Sequence, residues 1–152
     1  MRIILLLLMG TIATACQPVT LAHEGRVDFT KYRSVYVQAI ALSGDAVFED
    51  LDTGTQNYLI EELQILSGFS SVVGDEINPT DAVLTVSMEV NSDHDFETGE
   101  TRYTAETEYR FQTSSGVDIA RGSTSSTNSD PVEAQEDALD DIALYFLRPY
   151  RI

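Results

Sequence analysis

The chain has 152 residues, a length that suits one domain with one core. Its 25 Asp and Glu outweigh 9 Lys and Arg, and a net charge of −16 repels DNA, so nucleic acid is excluded as a partner. The single cysteine allows no internal disulfide, so packing alone must hold the fold. In chain order, Arg2 comes first, then the unbroken apolar run Ile3–Met9, then small residues up to Cys16. That is the layout of a secretory signal, and the run is shorter than the ~20 apolar residues that a membrane-spanning helix needs.

Ile12-Ala13-Thr14-Ala15-Cys16 resembles the lipobox of bacterial lipoproteins, with Ala13 where that motif usually has Leu. The resemblance implies that residues 1–15 are a lipoprotein signal peptide and that Cys16 is acylated and begins the mature protein. Each buried acyl methylene contributes ~0.8 kcal/mol, so several chains anchor a domain to a membrane without a spanning helix. Residues 16–30 carry Pro18 and Gly25, show no periodicity, and read as a flexible tether. Gln17 is compatible with sorting to the outer membrane, with the domain facing the periplasm.

Residues 31–152 read as a single α+β domain. Ser34–Leu42 is the first expected strand, with Val35, Val37, Ala39 and Ala41 on one face. Asp50–Leu66 places Leu51, Thr55, Leu59, Leu63 and Leu66 on one helical stripe, and Gly68 follows as a C-terminal cap. Phe69, Val72 and Val73 form a short apolar return. Ala82–Asn91 and Thr101–Thr113 alternate apolar with polar residues and predict strands wet on one side. Asn91–Glu100 is the loop between them. Ser114-Ser115-Gly116 is a hairpin turn into a weaker Ser/Thr-rich strand that ends near Thr127. Asp130, Pro131 and Glu133 mark the start of a last helix, which Arg148 and Pro149 end.

Three segments resemble the lipopolysaccharide-assembly lipoprotein family, the plug subunit of an outer-membrane translocon. They are Tyr32–Val37, Asp81–Val86, and Asp130–Ala134 continuing through Ala138–Ala143. The resemblance implies lipid contact through basic residues on the sheet, for which Arg102, Arg110 and Arg121 are the candidates here. They stand among Glu106, Glu108 and Asp118.

His23 and His94 have no Cys or His partner at zinc-ligand spacing. Asp93, Asp95, Glu97 and Glu100 lack the order and the glycine of a calcium loop. The sequence offers no nucleophile elbow and no glycine-rich phosphate loop. The sequence therefore predicts an α+β fold, with an antiparallel-rich sheet of about four strands and two helices packed on one face. It also predicts a non-enzymatic envelope lipoprotein without a cofactor. The membrane is its partner through Cys16, and an outer-membrane barrel or other envelope protein is its partner through the face lined by Arg102, Glu106, Glu108 and Arg110. That face is expected to be ion-paired. The alternative is an envelope module of the same fold that binds a soluble ligand in an apolar pocket between sheet and helices.

Overall fold

The computed structural model describes residues 28–45, 51–76 and 79–147. The lipobox, Cys16, Gln17, His23, Arg148 and Pro149 lie outside them. Among the described residues the elements are a short 3-10 helix Phe29–Lys31, β1 Ser34–Val37, β2 Ala41–Ser43, α1 Leu51–Leu66, β3 Ser71–Val73, β4 Ala82–His94, β5 Thr101–Thr113, β6 Asp118–Asn128 and α2 Pro131–Leu147. No helix among the described residues is long and apolar enough to cross a membrane.

The six strands form one mixed sheet in the order β3-β1-β4-β5-β6, and β2 also pairs with β4. The expectation of about four antiparallel strands holds only for the meander β4–β5–β6. β1 and β2 both run parallel to β4, and β3 runs parallel to β1. Parallel neighbours are reached through a crossover, here α1, and no local sequence signal announces them.

The expected single strand Ser34–Leu42 is split. Val37 pairs with Leu84 and Ala41 pairs with Ser87, so four steps on one strand face three on the other. The extra residue in the 38–40 segment is a bulge that exchanges the two faces of the strand. Val35 and Val37 are buried as expected, but Ile40 replaces Ala39 on the inside, and Ala39 and Ala41 are exposed. Gly44 then brings the chain against β4. Its φ is +110°, and a Cβ there would lie 2.1 Å from the Val90 carbonyl oxygen, so only glycine fits. Asp45 completes the join by accepting the Ser92 N–H at 2.7 Å.

Alternation in the meander follows the sequence. Leu84, Val86, Met88 and Val90 on β4 face Phe111, Tyr109, Thr107 and Ala105 on β5, and all eight are buried. β4 runs three residues further than the pattern implies, to His94. Its hairpin to β5 closes over Asp95–Glu100. Both helices cover this one side of the sheet. Thr55, Leu59 and Leu63 of α1 are buried, as are Ala134, Ala138, Leu139, Ile142, Ala143 and Phe146 of α2. Small residues allow α2 to approach β6 so closely that the Thr124 hydroxyl donates to the Ala138 carbonyl at 2.7 Å. Gly122 leaves room for the Tyr109 ring across the β5–β6 pair.

The interior between sheet and helices is filled by rings. Phe29, Phe69 and Phe146 surround Phe111 with centroids 5.6, 5.8 and 5.1 Å away. Such pairs each add ~0.5–1.5 kcal/mol beyond their buried area. Phe29 falls within the expected tether, yet it is only 5% exposed, so ordered packing already includes it.

Helix ends are set by side chains. Asp130 caps α2 by accepting the Val132 and Glu133 N–H groups at 2.8 and 3.2 Å, as its position predicts. Gly68 does not form the expected left-handed cap of α1. Among the described residues the glycines with positive φ are Gly44, Gly99 and Gly116, and the Ser67 hydroxyl instead donates to the Leu63 carbonyl.

Candidate functional site: the open face of the sheet

Residues that alternate with the core strip point to the uncovered side. On β4 these are Thr85, Ser87 and Glu89; on β5, Arg102, Thr104, Glu106, Glu108, Arg110 and Gln112; on β6, Arg121, Ser123, Ser125 and Thr127. The structure therefore brings Arg102, Glu106, Glu108 and Arg110 onto one exposed surface. It also adds Glu89 and Arg121 to the four residues expected to dock a partner; Arg121 is already one of the three basic candidates for lipid contact. Their place in the alternation of β4 and β6 is the signal that could have found them.

Register sorts the charges along the face. Glu89 is directly opposite Glu106, and Ser87 is opposite Glu108. Ser125 and Ser123 flank the same two glutamates on β6. The result is a shallow depression with a floor of serines, Ser43, Ser87, Ser123 and Ser125, and walls of Glu89, Glu106 and Glu108. At the next register position, Thr85, Arg110 and Arg121 lie in a row across the three strands. The acidic middle of the face thus passes into a basic end.

The expected ion-paired face is not what forms. Among the described residues, the ion pairs on these strands are Arg102 with Glu100 at 4.0 Å and Arg110 with Asp118 at 3.8 Å. Each arginine turns to an acid at a strand end rather than to Glu106 or Glu108. Both pairs are exposed and worth at most ~1 kcal/mol. Like charges directly opposite across a strand pair are destabilising, so Glu89 beside Glu106 and Arg110 beside Arg121 are placed against stability.

The acids of the β4–β5 hairpin do other work. The Asp95 carboxylate accepts the Glu97 and Thr98 N–H groups at 2.8 and 3.2 Å, and these bonds hold its carboxyl below the ordinary range. His94 Nδ1 meets Thr101 Oγ1 at 3.0 Å. Among the described residues, no group of three or more His, Cys, Asp or Glu is arranged to hold a metal.

On the helix side, the Tyr58 hydroxyl donates to Asp140 at 2.9 Å and ties α1 to α2. Burial, and then that bond, push the Tyr58 phenol up. Burial and the neighbouring Asp140, Glu133, Asp130 and Asp137 raise the Glu136 carboxyl. At the other end of the sheet, the N–H groups of Ser34 and Arg33 donate to Asp81 and hold its carboxyl low, which fastens β1 to the start of β4.

No family model and no curated protein matches the sequence. Solved structures do match. The subunit of a PelC dodecamer from Paraburkholderia phytofirmans aligns with a TM-score of 0.56 at 12% identity, over 72% of this chain and 85% of that one. XCC0632 from Xanthomonas campestris, a DUF330 protein, aligns with a TM-score of 0.50 at 10% identity, over 76% and 81%. A minor lipoprotein from Acinetobacter baumannii aligns with a TM-score of 0.39 at 16% identity, over 77% and 89%. At such identities, what this chain shares with the first two is the α+β fold.

Proposed function

We propose that the protein is a non-enzymatic lipoprotein, anchored in the outer membrane through acylated Cys16, that docks an envelope partner with the open face of its sheet. The observation that carries this reading is the asymmetry of the sheet. Among the described residues, two helices cover one side, and the other side of three long strands is left exposed, with Glu89, Glu106 and Glu108 outside the ion pairs. The sole cysteine at the end of an apolar export-like segment supplies the location.

Charge on such a face governs specificity and association rate more than affinity. An outer-membrane barrel, or another subunit in lipopolysaccharide or envelope assembly, is the class of partner that fits a domain held at that membrane. The basic end at Arg110 and Arg121 is where lipid contact of the kind implied by the family resemblance would fall. The alternative, a soluble ligand held between sheet and helices, is favoured less, because Phe29, Phe69, Phe111 and Phe146 fill that space.

Two measurements test the reading. A fatty-acid analogue is expected to label wild type and not Cys16→Ser, and equal label on both would end the anchor. Crosslinking in native membranes is expected to lose the partner adduct in the Glu106→Lys/Glu108→Lys variant, with circular dichroism unchanged. A full set of adducts from that variant would end the docking face.

A further inference from the structure

We infer that copies of this chain associate head to tail, the β4–β5 hairpin tip of one copy seating on the basic end of the open sheet face of the next. The proposal goes beyond the docking reading above; its groove borders the acidic middle of the face and shares Glu108 with it.

The tip is built to be inserted. Phe96 is 91% exposed, the most exposed large apolar residue described. It is nevertheless held: the His94 ring packs edge-on against it with centroids 4.9 Å apart. Below it, the Asp95 N–H donates to the Glu100 carbonyl at 2.9 Å and the Gly99 N–H donates to the Asp95 carbonyl at 2.7 Å. A large aromatic that stands in solvent and gains burial on contact is the kind of residue that anchors an interface. Around it stand Asp93, Asp95 and Glu97, all exposed.

The basic end of the sheet is the complementary surface. In a chain with only 9 Lys and Arg, Arg110 and Arg121 are placed directly opposite each other. Arg121 has no ion pair among the described residues, and Arg110 reaches Asp118 only at 3.8 Å. Two opposed guanidiniums on an open face are stabilised by an arriving anion. Beside them the bulge exposes Ala39 and Ala41, which line the same groove of about 710 Å³ and give an aromatic ring an apolar floor.

Geometry makes the contact intermolecular. Nine residue steps along β5 separate Thr101, at the tip, from Arg110, a span of about 30 Å at ~3.3 Å per step. The tip cannot fold back onto its own groove. Because the two patches differ, the contact is heterologous, and repeating it gives a closed ring or a filament.

A charge swap tests this. The full-length protein, extracted from membranes in detergent, is compared with Glu97→Arg and Arg121→Glu by chemical crosslinking and sedimentation. Glu97 and Arg121 are both exposed, and circular dichroism checks that both variants fold. Wild type is expected to give species larger than one chain, and each variant alone is expected to lose them. Mixing the two variants is expected to restore them, because the arginine tip of one meets the glutamate groove of the other, and the unaltered tip and groove still pair. A monomeric wild type, a variant that keeps the wild-type species, or a mixture that fails to restore them would each overturn the proposal. The two surfaces share Glu108, but these variants change Glu97 and Arg121 and read self-association, whereas the docking reading is tested by Glu106→Lys/Glu108→Lys and its partner adduct, so the two readings fail separately.

Discussion

The two sides of β4 and β5 are made by the same strands and obey opposite rules. On the covered side, every residue from Leu84 to Val90 that faces the helices is apolar, and its partners on β5 are buried with it. On the open side, the same register sets glutamate against glutamate and arginine against arginine. The covered side is arranged for stability. The open side carries like-charge neighbours that stability alone would replace, and that contrast is the ground on which we propose it as a binding surface.

Mutations on the two sides should therefore separate cleanly. The largest expected effect is Ile142→Asp, which buries an unpaired charge under the sheet and should cost at least about 4 kcal/mol. Phe111→Ala should follow at about 3–5 kcal/mol, because it empties the centre of the ring cluster. Gly44→Ala comes next, at about 2–3 kcal/mol, from a positive φ combined with contact against the Val90 backbone. On the open side, Glu106→Lys/Glu108→Lys should change the unfolding free energy read from urea titrations by less than about 0.5 kcal/mol per site. Glu106→Lys should be neutral or slightly stabilising, because it places a cation opposite Glu89. A loss of several kcal/mol from the glutamate pair would show that the open face is structural and would break the comparison.

The smallest effect is in pH. Asp81 and Asp95 have folded carboxyls held below the ordinary aspartate value of 3.8, so their contribution is present above that value and is lost as pH falls through their folded pKa. Glu136 is raised above 4.5, so its contribution is complete below that value and is lost as pH rises through its folded pKa. Thermal melts of Glu136→Gln should accordingly exceed wild type at neutral pH and converge with it below about pH 4. For Asp81→Asn, the deficit at neutral pH should shrink as pH falls below the ordinary aspartate value of 3.8 and through the folded pKa beneath it.

Much of this was legible in the residues because the signals are local. Period-two alternation placed the meander, and Asp130 before Pro131 placed the start of α2. The bulge at 38–40 was not legible: both faces of that stretch are apolar, so alternation could not show where Ala39 gives way to Ile40. The parallel pairings of β1, β2 and β3 were not legible either, because they depend on residues brought together across α1. For the site, the alternation on β5 named Arg102, Glu106, Glu108 and Arg110. It could not show that the two arginines would turn to Glu100 and Asp118, since long side chains choose among neighbours that only the hairpins supply. Alternation also places Glu89 and Arg121 on this side; what needed the register of three strands was that they stand directly opposite Glu106 and Arg110.

The most direct test of the contrast is site-specific photocrosslinking in intact membranes. A photoreactive residue is placed at Ser125 or Glu106 on the open face, and at Glu133 or Asp141 on the exposed side of α2. Adducts to an envelope protein are expected from the open-face positions and not from the helix positions. Adducts from Glu133 and Asp141, with none from Ser125 and Glu106, would contradict the assignment of the open face as the docking surface.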